Sequence, residues 1–594
     1  MITSMTKYSF ILLSGEQDAL LEQLQELGLV DVTRSVKPVD TRSAALLSDV
    51  ELRKDLIQAL GKIDFPEGLE PAVIEGSVAD AARNALDNLE KLEEEMKTVQ
   101  KTVASLRPWG DFDGETLQKL RDAGCRIHFH VTAAKSFKPE WAEKYALQVI
   151  SEQNGRVYFV VVGDDALPDE IDEPDHSCAE SEAGIAWLQA AIDREKAILL
   201  AARERQDEME AEARKRISDL DLYLAAQAAV PAAENTLVTL VGYAPTENEE
   251  AVTAACDASG VFYLKDAAQV EDNPPISFRN NKFVRMFEVL TDMYGRPAYD
   301  GFDPTPFIAV FFLLFFALCM GDAGYGLVLI LVGLLLKKVD SFKSLAPLVV
   351  TLGIGTTVVG FFLHTFFSID ISQWKVFEPV KFLFLPDEIG GYAGGMVLSI
   401  IVGIVHLCLA MVVKAINSVR VKGFYASLGT LGWTLLIVGG ILVGGLALTG
   451  VLGKDLTKWI IIVLGVLSAL GIFVFNDPKR NKLANVGVGL WDTYNTATGL
   501  LGDVLSYLRL YALGLAGGML GMAFNDMGKM VLGDGTSWYL WIPFILLVLI
   551  GHTLNIAMCA LGAFVHPLRL NFLEFFKNSG YEANGRNYNP LKKQ

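Results

Sequence analysis

Two arginines lie in strongly apolar stretches of this 594-residue chain. Arg509 lies within DVLSYLRLYALGLAGGML and Arg569 within LGAFVHPLRLNFLEFF. A guanidinium stays protonated in proteins, and a charge at the centre of a bilayer costs roughly 2.5–3.5 kcal/mol even on the scale taken from insertion experiments. Ionisable groups kept at such a cost mark ion or substrate pathways. The two arginines therefore predict that the chain moves charge across a membrane.

Small residues share a helical face with Arg509. At steps of three, seven and eight residues from it, these are Gly502, Ser506, Ala512, Ala516 and Gly517. Small side chains let another helix approach closely, and a carboxylate pairs strongly with arginine where the dielectric constant is low. We expect this face to receive a carboxylate of a partner protein. Two alternatives stay open, namely a static ion pair within the chain and a side chain that snorkels to the membrane surface. Asp503, six residues away, lies on a different face.

A row of polar residues runs along the last apolar segment. By the same helical spacing, one face carries Asn555, Cys559, Gly562, His566 and Arg569. Such a row can hold water and conduct protons or small cations, and a hydrated His566 titrates near neutral pH. A buried, hydrogen-bonded histidine is an equally good interpretation of His566 and of His552. Arg569 is close enough to the end of its segment to snorkel.

Three polar positions precede the segment that carries Arg509, and one follows the first apolar segment. Asp492, Tyr494 and Asn495 are candidates for the lining of half-channels, and so is Asp322 in CMGDAGYG. Asp322 also suits the N-cap of the next helix, where its carboxylate would accept backbone N–H groups.

About eight apolar segments must position these residues. They lie near 306–320, 323–336, 344–367, 394–413, 424–450, 457–475, 486–525 and 538–576. The last two are long, because about 38–40 helical residues reach nearly 60 Å whereas the hydrocarbon core is about 30 Å thick. They must tilt, bend or project beyond the membrane.

Charges in the loops predict the orientation. The loops assigned to the inside are the more basic ones and hold Lys337, Lys338, Lys343, Lys414, Arg420, Lys422, Lys479, Arg480, Lys482, Lys577, Arg586, Lys592 and Lys593. The positive-inside rule then favours an even number of spans with both termini in the cytoplasm. The N-terminal MITSMTKYSFILL has no small-residue cleavage site, so we do not expect a signal peptide.

The first half of the chain, residues 1–302, is rich in charged residues and predicts a cytoplasmic domain that precedes a transmembrane domain over 303–594. Strand–helix–strand patterns begin near Lys7 and Asn235, and a third follows a predicted helix that begins near Thr116. Heptad-like apolar stripes over 82–106 and 183–226 predict an antiparallel coiled coil. The predicted fold is an all-α polytopic membrane domain plus an elongated α+β domain, a rod with a globular unit at each end. The two long helical stripes favour a rod that connects other parts of the protein over one that catalyses a reaction.

Composition and motifs exclude several classes of function. The formal net charge of -19 argues against nucleic acid as a partner. The six cysteines show no CxxC spacing, so neither a disulfide framework nor a zinc site is predicted. No GxxxxGK[ST] motif is present, and we expect no nucleotide, metal or other cofactor to be bound by this chain.

The longer motifs resemble the membrane stator subunit of V-type and A-type rotary ATPases, called subunit a or subunit I. The resemblance runs along most of the chain and is carried by FDPTPF with FFALCMGDAGYG, by DVLSYLRLYALGLAG, and by AFVHPLRLNFLEFF with YEANGRNYNP. In that family the arginine of the seventh span, which falls on Arg509, faces the carboxylate of the rotating proteolipid ring. The second family arginine falls on Arg569.

The resemblance implies a mechanism and a set of partners. Arg509 would keep two half-channels from short-circuiting, so that each ring carboxylate gives up its ion before passing. Implied partners are the proteolipid c-ring, peripheral stalk subunits of the E and G type on the cytoplasmic domain, the ATP-hydrolysing A/B head through the complex, and membrane lipid. The chain would be an integral protein of the plasma membrane and would not itself catalyse ATP hydrolysis. The residues expected to carry or line the ion path are Arg509, Arg569, Ser506, His566, Asn555, Asp503 and Asn495.

The sequence departs from eukaryotic relatives at three positions. Cys559 and Asn495 stand where these relatives have glutamates, and Gly517 stands where they have a histidine. These differences suit a prokaryotic branch. A secondary transporter of an anionic substrate and a structural scaffold with buried arginine pairs are the alternatives, although no inverted repeat of broken helices favours the transporter. The carried ion, H⁺ or Na⁺, would be set by a carboxylate on another chain.

Overall fold

The computed structural model describes residues 1–35, 37–110, 114–163, 167, 169–171, 178–232, 234, 236–339, 342–475, 482–533 and 538–593. Lys479 and Arg480, assigned above to an inside loop, lie outside the described residues. The chain divides into two compact units. Unit one comprises Met1–Ile11, Leu29–Asp31 and Val241–Pro590, and unit two comprises Leu12–Gly28, Val32–Leu240 and Leu591–Gln594.

The first half of the chain mixes strands and helices. In chain order they are β1 (Met5–Leu13), α1 (Gln17–Leu27), β2 (Asp31–Val32), α2 (Thr41–Leu60), α3 (Val78–Leu106), α4 (Gly114–Asp122), β3 (Ile127–Ala133), α5 (Glu140–Lys144), β4 (Leu147–Gln153), β5 (Arg156–Val162), β6 (Glu170–Ile171), α6 (Cys178–Glu204), α7 (Gln206–Gln227), β7 (Val230–Ala232), β8 (Leu237–Pro245), α8 (Glu249–Ser259), β9 (Phe262–Ala267), β10 (Pro275–Ile276), α9 (Lys282–Arg285) and α10 (Glu288–Tyr294). The three predicted strand–helix–strand patterns are all present.

Unit two is built on long helices that pack side by side. α3 lies along α6, and their shared seam buries the predicted stripe residues Ala82, Ala85, Leu89, Met96, Leu188, Ile192, Leu199 and Ala202. The structure differs from the prediction of one helix over 183–226, because the helix is interrupted at Arg205. α7 packs against α2, whereas α6 packs against α3, so the interruption accompanies a change of helical partner.

A four-stranded sheet in the order β4-β5-β3-β6 completes unit two. β3 and β5 pair antiparallel from Ile127 opposite Val162 to Ala133 opposite Arg156. Phe159 and Val161 are buried on one face of β5 while the intervening side chains are more exposed, which is the alternation expected of a half-buried strand.

Two strand pairs in unit one bring distant parts of the chain together. β1 pairs antiparallel with β9, from Thr6 opposite Ala267 to Ile11 opposite Phe262. Near the C-terminus, β15 (Arg586–Asn587) pairs parallel with β10, with Pro275 opposite Arg586. The first pair places β9, the last strand of the pattern predicted near Asn235, beside the N-terminal strand.

The second half of the chain is mainly helical. Its elements before β15 are α11 (Thr305–Met320), α12 (Ala323–Leu336), α13 (Ala346–Phe362), β11 (Thr365–Phe366), β12 (Ile369–Asp370), β13 (Glu388–Ile389), β14 (Tyr392–Ala393), α14 (Gly394–Lys422), α15 (Leu428–Thr434), α16 (Gly440–Leu448), α17 (Lys454–Ala469), α18 (Lys482–Ser506), α19 (Leu508–Leu532), α20 (Trp541–Arg569) and α21 (Phe576–Ser579). Three π-helical segments, Leu435–Gly439, Leu470–Val474 and Leu570–Phe575, join or extend these helices.

Five helical stretches are long and apolar enough to cross a membrane. They are Gly394–Lys422, Tyr425–Leu448, Lys454–Val474, Asn485–Leu532 and Trp538–Ser579. Three shorter apolar helices, α11, α12 and α13, precede them. All eight coincide with the apolar segments predicted from sequence, to within a few residues at most ends.

Burial differs sharply among the apolar helices. α11 is buried on most of its surface, and its phenylalanines form the centre of a core that also receives α13, α19 and α20. By contrast α16 has no buried residue, and α17 buries only Ser468. Apolar helices exposed in this way require an apolar solvent, as a lipid bilayer provides.

Candidate functional site

Arg509 is the second residue of α19, and its side chain is half-buried. Its Nη1 atom is buried and has no hydrogen-bond partner among the described residues. In the part of the chain that the structure describes, no carboxylate oxygen lies within the 4.0 Å of an ion pair from this guanidinium. The static internal ion pair that the sequence left open is therefore not formed with a described residue.

The backbone interruption next to Arg509 is held by a buried pair of side chains. Between α18 and α19, Tyr507 is fully buried, and its hydroxyl lies 3.0 Å from Nδ1 of His406 on α14. The His406 ring stacks against Phe575 with ring centroids 4.7 Å apart. A Cβ at Gly403 would lie 2.3 Å from the Tyr507 ring, so only glycine leaves room for this packing. Together these contacts fix where α19 starts and hence where Arg509 lies.

The predicted small-residue face is open around Arg509 but not along its whole length. Gly502, Ala512 and Ala516 are exposed, and nothing lies within 4 Å of where a Cβ at Gly502 would be. Ser506 is half-buried, and its Oγ donates to Gly502 O at 3.1 Å. Gly517 is placed differently from the prediction, because it is buried and a Cβ there would lie 2.5 Å from Cys559 Sγ. Gly517 therefore serves the packing of α19 on α20 and not the open face.

Asp503 pairs with the end of the last apolar segment and not with Arg509. Its carboxylate lies 3.3 Å from Lys577 Nζ and accepts from Asn578 Nδ2 at 2.8 Å. It also forms part of the wall of a cavity of about 400 Å³, which we call the Asp503 cavity. Its polar lining residues are Lys414, Thr430, Thr434, Asp492, Asn495, Thr496, Asp503, Lys577 and Asn578. Asn495 and Asp503, two of the residues expected to line the ion path, therefore lie in the wall of the same cavity at one end of the helices.

Asn555 belongs to a hydrogen-bonded network nearer the opposite end of the helices. The fully buried Asn555 Nδ2 donates to Tyr325 Oη at 2.8 Å and to Gly517 O at 2.9 Å. Its Oδ1 lies 3.3 Å from Cys559 Sγ. Asn555 is therefore hydrogen-bonded to groups on α12, α19 and α20.

The network continues through His552. Tyr325 Oη lies 2.8 Å from His552 Nδ1, and His552 Nε2 lies 3.0 Å from Asn525 Oδ1. Asn525 Nδ2 donates to Phe367 O, so its Oδ1 is the atom that accepts from histidine Nε2–H. His552 Nδ1 then accepts a hydrogen bond from the tyrosine O–H group. With a proton on Nε2 only, the histidine is neutral. The hydrogen-bonded interpretation of His552 is the one that the structure favours.

His566 and Arg569 extend the predicted polar row toward the end of α20. His566 is half-buried, its Nδ1 has no hydrogen-bond partner among the described residues, and it interacts electrostatically with Arg509. Arg569 is exposed and ends α20. The row therefore changes from fully buried at Asn555 to exposed at Arg569. Arg509 and His566, which the sequence places on different segments, lie close together.

Glu574 is a buried acid that the sequence analysis did not single out. It lies in the π-helical segment Leu570–Phe575 and is only 5% exposed. Its Oε2 has no hydrogen-bond partner in the described part of the chain, and it interacts with Ser506 and, electrostatically, with Arg509. A glutamate in an otherwise apolar segment was the available signal.

Asp322 caps a helix and anchors a loop. Its Oδ1 accepts from the backbone N–H groups of Gly324 at 2.8 Å and Tyr325 at 3.1 Å, which confirms the N-cap interpretation. It also accepts from the backbone of Phe367 at 2.9 Å and Ser368 at 2.5 Å. The carboxylate thereby positions Tyr325 and the Phe367 carbonyl, two members of the network described above. Its role is structural support and not lining of the Asp503 cavity.

Sequence comparison finds relatives of the chain. A sequence model of the V-type ATPase 116 kDa subunit family matches residues 177–344. The chain is 26% identical to V-type ATP synthase subunit I 1 of Treponema pallidum over 648 aligned positions that cover the whole of both proteins. The chain is thus similar to a subunit I along its whole length. With five long apolar helices, it is an integral membrane protein with an additional soluble domain.

Archaeal relatives align over a shorter stretch. A-type ATP synthase subunit I of Methanocaldococcus jannaschii is 31% identical over 366 positions, which cover 57% of this chain and 52% of the relative. The chain thus spans about half the length of that archaeal relative. A crystal structure of the cytoplasmic N-terminal domain of a subunit I covers 44% of this chain and all of that domain at 13% identity, with a TM-score of 0.17. A score so low carries no argument about the fold.

Proposed function

We propose that this chain is the membrane stator subunit of a V/A-type rotary ATPase and that it couples ion flow to rotation of a proteolipid ring. The observation that carries the proposal is Arg509, a half-buried guanidinium without a carboxylate partner among the described residues, beside exposed Gly502, Ala512 and Ala516. A carboxylate on a neighbouring helix can reach a guanidinium across such a face and move on. The names of the relatives, V-type and A-type ATP synthase subunit I, support the same function.

The two polar regions suit two half-channels on either side of Arg509. The Asp503 cavity, with Asn495 and Lys577 in its wall, opens at one end of the helices. The network of Asn555, Tyr325 and His552 lies nearer the other end. An ion that enters through either region meets the partner carboxylate near Arg509, and the fixed positive charge there prevents direct passage from one region to the other. Arg569 and His566 line the approach from the exposed end of α20.

The rest of the chain supports this stator role. We assign the eight apolar helices to eight spans over residues 303–594, with both termini in the cytoplasm and the protein in the plasma membrane. Residues 1–302 form the cytoplasmic collar, in which α3 and α6 act as an antiparallel coiled coil that receives peripheral stalk subunits of the E and G type. The ATP-hydrolysing A/B head is reached through the complex. The long paired helices suit a part that resists torque.

The proposed function is tested by removing the guanidinium. In the intact complex reconstituted into vesicles, we expect Arg509→Ala to reduce ATP-driven ion uptake to background while the subunit composition stays unchanged. Arg509→Lys should fail as well, since a desolvated lysine deprotonates and lacks the two-pronged geometry that binds a carboxylate. Arg420→Ala, at an exposed arginine at the end of α14, is the matched control and should pump normally.

The competing function is a secondary transporter of an anionic substrate. It predicts a protein that transports without a proteolipid ring or stalk subunits, and affinity purification from membranes decides this directly. Substantial ATP-driven uptake by an assembled Arg509→Ala complex would contradict the stator proposal. Co-purification of ring and stalk subunits, together with loss of uptake in both Arg509 variants, is the expected result.

A further inference from the structure

The acid of the last apolar segment is buried in a way that calls for a function. Glu574 is 5% exposed, and its Oε2 has no hydrogen-bond partner in the described part of the chain. Burying a carboxyl group without full hydrogen bonding is costly, and such groups in native proteins mark sites of function or of ordered water. The π-helical segment Leu570–Phe575 turns Glu574 away from the register that α20 would impose. Single π turns of this kind are frequent at functional sites.

The neighbours of Glu574 place it between the Asp503 cavity and Arg509. On the cavity side, Asn578 Nδ2 donates both to Asp503 Oδ2 at 2.8 Å and to the Glu574 carbonyl oxygen at 2.7 Å. The Ser506 hydroxyl is within reach of the Glu574 carboxyl. On the other side the carboxyl group interacts electrostatically with the Arg509 guanidinium. Glu574 therefore lies between the wall of the cavity and the arginine.

The charged and titratable groups that face Glu574 leave its carboxyl free to bind a proton. Asp503 is paired with Lys577, so this lysine does not neutralise Glu574. Arg509 is near but forms no ion pair with it within 4.0 Å. The Tyr507 hydroxyl pairs with His406 Nδ1, 3.0 Å away, and not with the glutamate.

We propose that Glu574 is a proton-binding site that relays protons between the Asp503 cavity and the partner carboxylate opposite Arg509. The proton leaves water in the cavity, binds one Glu574 oxygen as an O–H group, and passes to the carboxylate of the partner; only O–H bonds form and break. This inference rests on the proposed stator function and adds to it the residue at the inner end of one half-channel and the proton as the carried ion.

The experiment is ATP-driven proton uptake by the intact reconstituted complex in Na⁺-free medium, measured against the pH on the side of the Asp503 cavity. Glu574→Gln keeps the size of the side chain, so the complex should assemble. We expect its uptake to fall at least tenfold and to lose its dependence on that pH. Glu574→Asp keeps a carboxyl group and should pump with a shifted pH midpoint. Glu388→Gln, in an exposed hairpin, is the control with wild-type uptake and pH profile.

The possible outcomes separate this inference from the proposed function. Wild-type uptake and pH dependence in Glu574→Gln overturn the proton relay, and they leave the stator function intact if Arg509→Ala still abolishes uptake. Uptake that requires Na⁺ in the wild-type complex also overturns the relay. If Glu574→Gln fails to assemble, the pH midpoint of Glu574→Asp decides, because a merely structural carboxyl predicts an unchanged midpoint. If Arg509→Ala still pumps, the proposed stator function is contradicted, and with it the relay that depends on it.

Discussion

At the scale of single residues, the position of Arg509 depends on uncharged neighbours. Removing a charge from water costs several kcal/mol in a protein, and no described acid within 4.0 Å offsets it here. The position is instead imposed by packing, since Tyr507 is buried against His406 and above Gly403, immediately before α19 begins. The guanidinium is thus held in place by its backbone and remains available to a partner's carboxylate.

Gly403 offers a direct test of this packing. In Gly403→Ala the new methyl group would lie 2.3 Å from the Tyr507 ring, so the ring or the helix must shift. Overpacking of this kind costs about 1–3 kcal/mol, and we expect a lower thermal stability of the detergent-solubilised complex together with weaker ATP-driven uptake. Gly465→Ala, where nothing lies within 4 Å of the added atom, is the matched control and should change neither property. Equal behaviour of the two variants would contradict the account of Tyr507.

At the scale of secondary-structure elements, α19 presents two distinct faces. One face packs within the chain and leaves too little room for a Cβ, because Gly517 and Gly528 lie against α20 and Gly521 lies against Ser368 and Tyr325. The other carries Ala512 and Ala516, which are exposed, and Gly518, which has open space around it. Small residues therefore serve two purposes on the same helix. Gly517, Gly521 and Gly528 allow close packing within the chain, whereas Ala512, Ala516 and Gly518 leave a smooth outer surface.

The exposed face of α19 predicts a variant that folds but does not work. Ala516→Phe adds a ring to a surface that has free space in this chain, so the subunit should insert and assemble. If the proteolipid ring moves past this face, the bulky side chain blocks it, and we expect both ATP-driven uptake and coupled ATP hydrolysis to fall. Val463→Phe, on an exposed position of α17, is the control and should pump normally. Normal uptake by assembled Ala516→Phe would show that the ring does not pass here.

At the scale of the whole molecule, the C-terminal segment returns to the start of the chain within unit one. Tyr588 Oη donates to Leu29 O at 2.6 Å, and the Asn589 backbone N–H donates to Asp31 Oδ2 at 3.0 Å. Burial raises the pKa of the Tyr588 hydroxyl, so it stays a proton donor at all physiological pH values. The β10–β15 pair adds backbone hydrogen bonds in the same region. Residues more than 500 positions apart thereby stabilise each other.

Truncation of this segment tests its contribution. Removing residues 583–594 deletes β15 and the Tyr588 contact, so we expect faster hydrogen–deuterium exchange at residues 29–31 and 275–276 in the full complex. Val30 and Ile276 are fully buried, which makes the change easy to detect. Lys593→Ala removes only an exposed ion pair with Glu26, of a kind that contributes little to stability, and should leave exchange at 29–31 unchanged. Unchanged exchange after truncation would contradict a stabilising role.

The sequence predicted well what depends on neighbours in the chain. The eight apolar segments and the strand–helix–strand units follow from hydropathy and local periodicity, which act over one element. Glu574, His406 and Tyr325 were not singled out as site residues, because their partners come from distant segments. Tyr325 and Asn555 are 230 positions apart, and His406 and Tyr507 are 101 apart. The single-helix arithmetic also placed Gly517 on the open face, since it could not include the α20 side chain that covers it.

The sequence by itself determined the class of protein, the apolar helices and the two arginines, because the cost of a charge or a polar backbone in lipid depends on residue type and local spacing alone. Only the tertiary structure decided which acids meet which bases. Asp503 pairs with Lys577, and Arg509 is left without an ion pair among the described residues, because α19, α20 and α21 bring these groups together by packing. Pairing energies act over a few ångströms, and the sequence records positions along a chain and not distances in space.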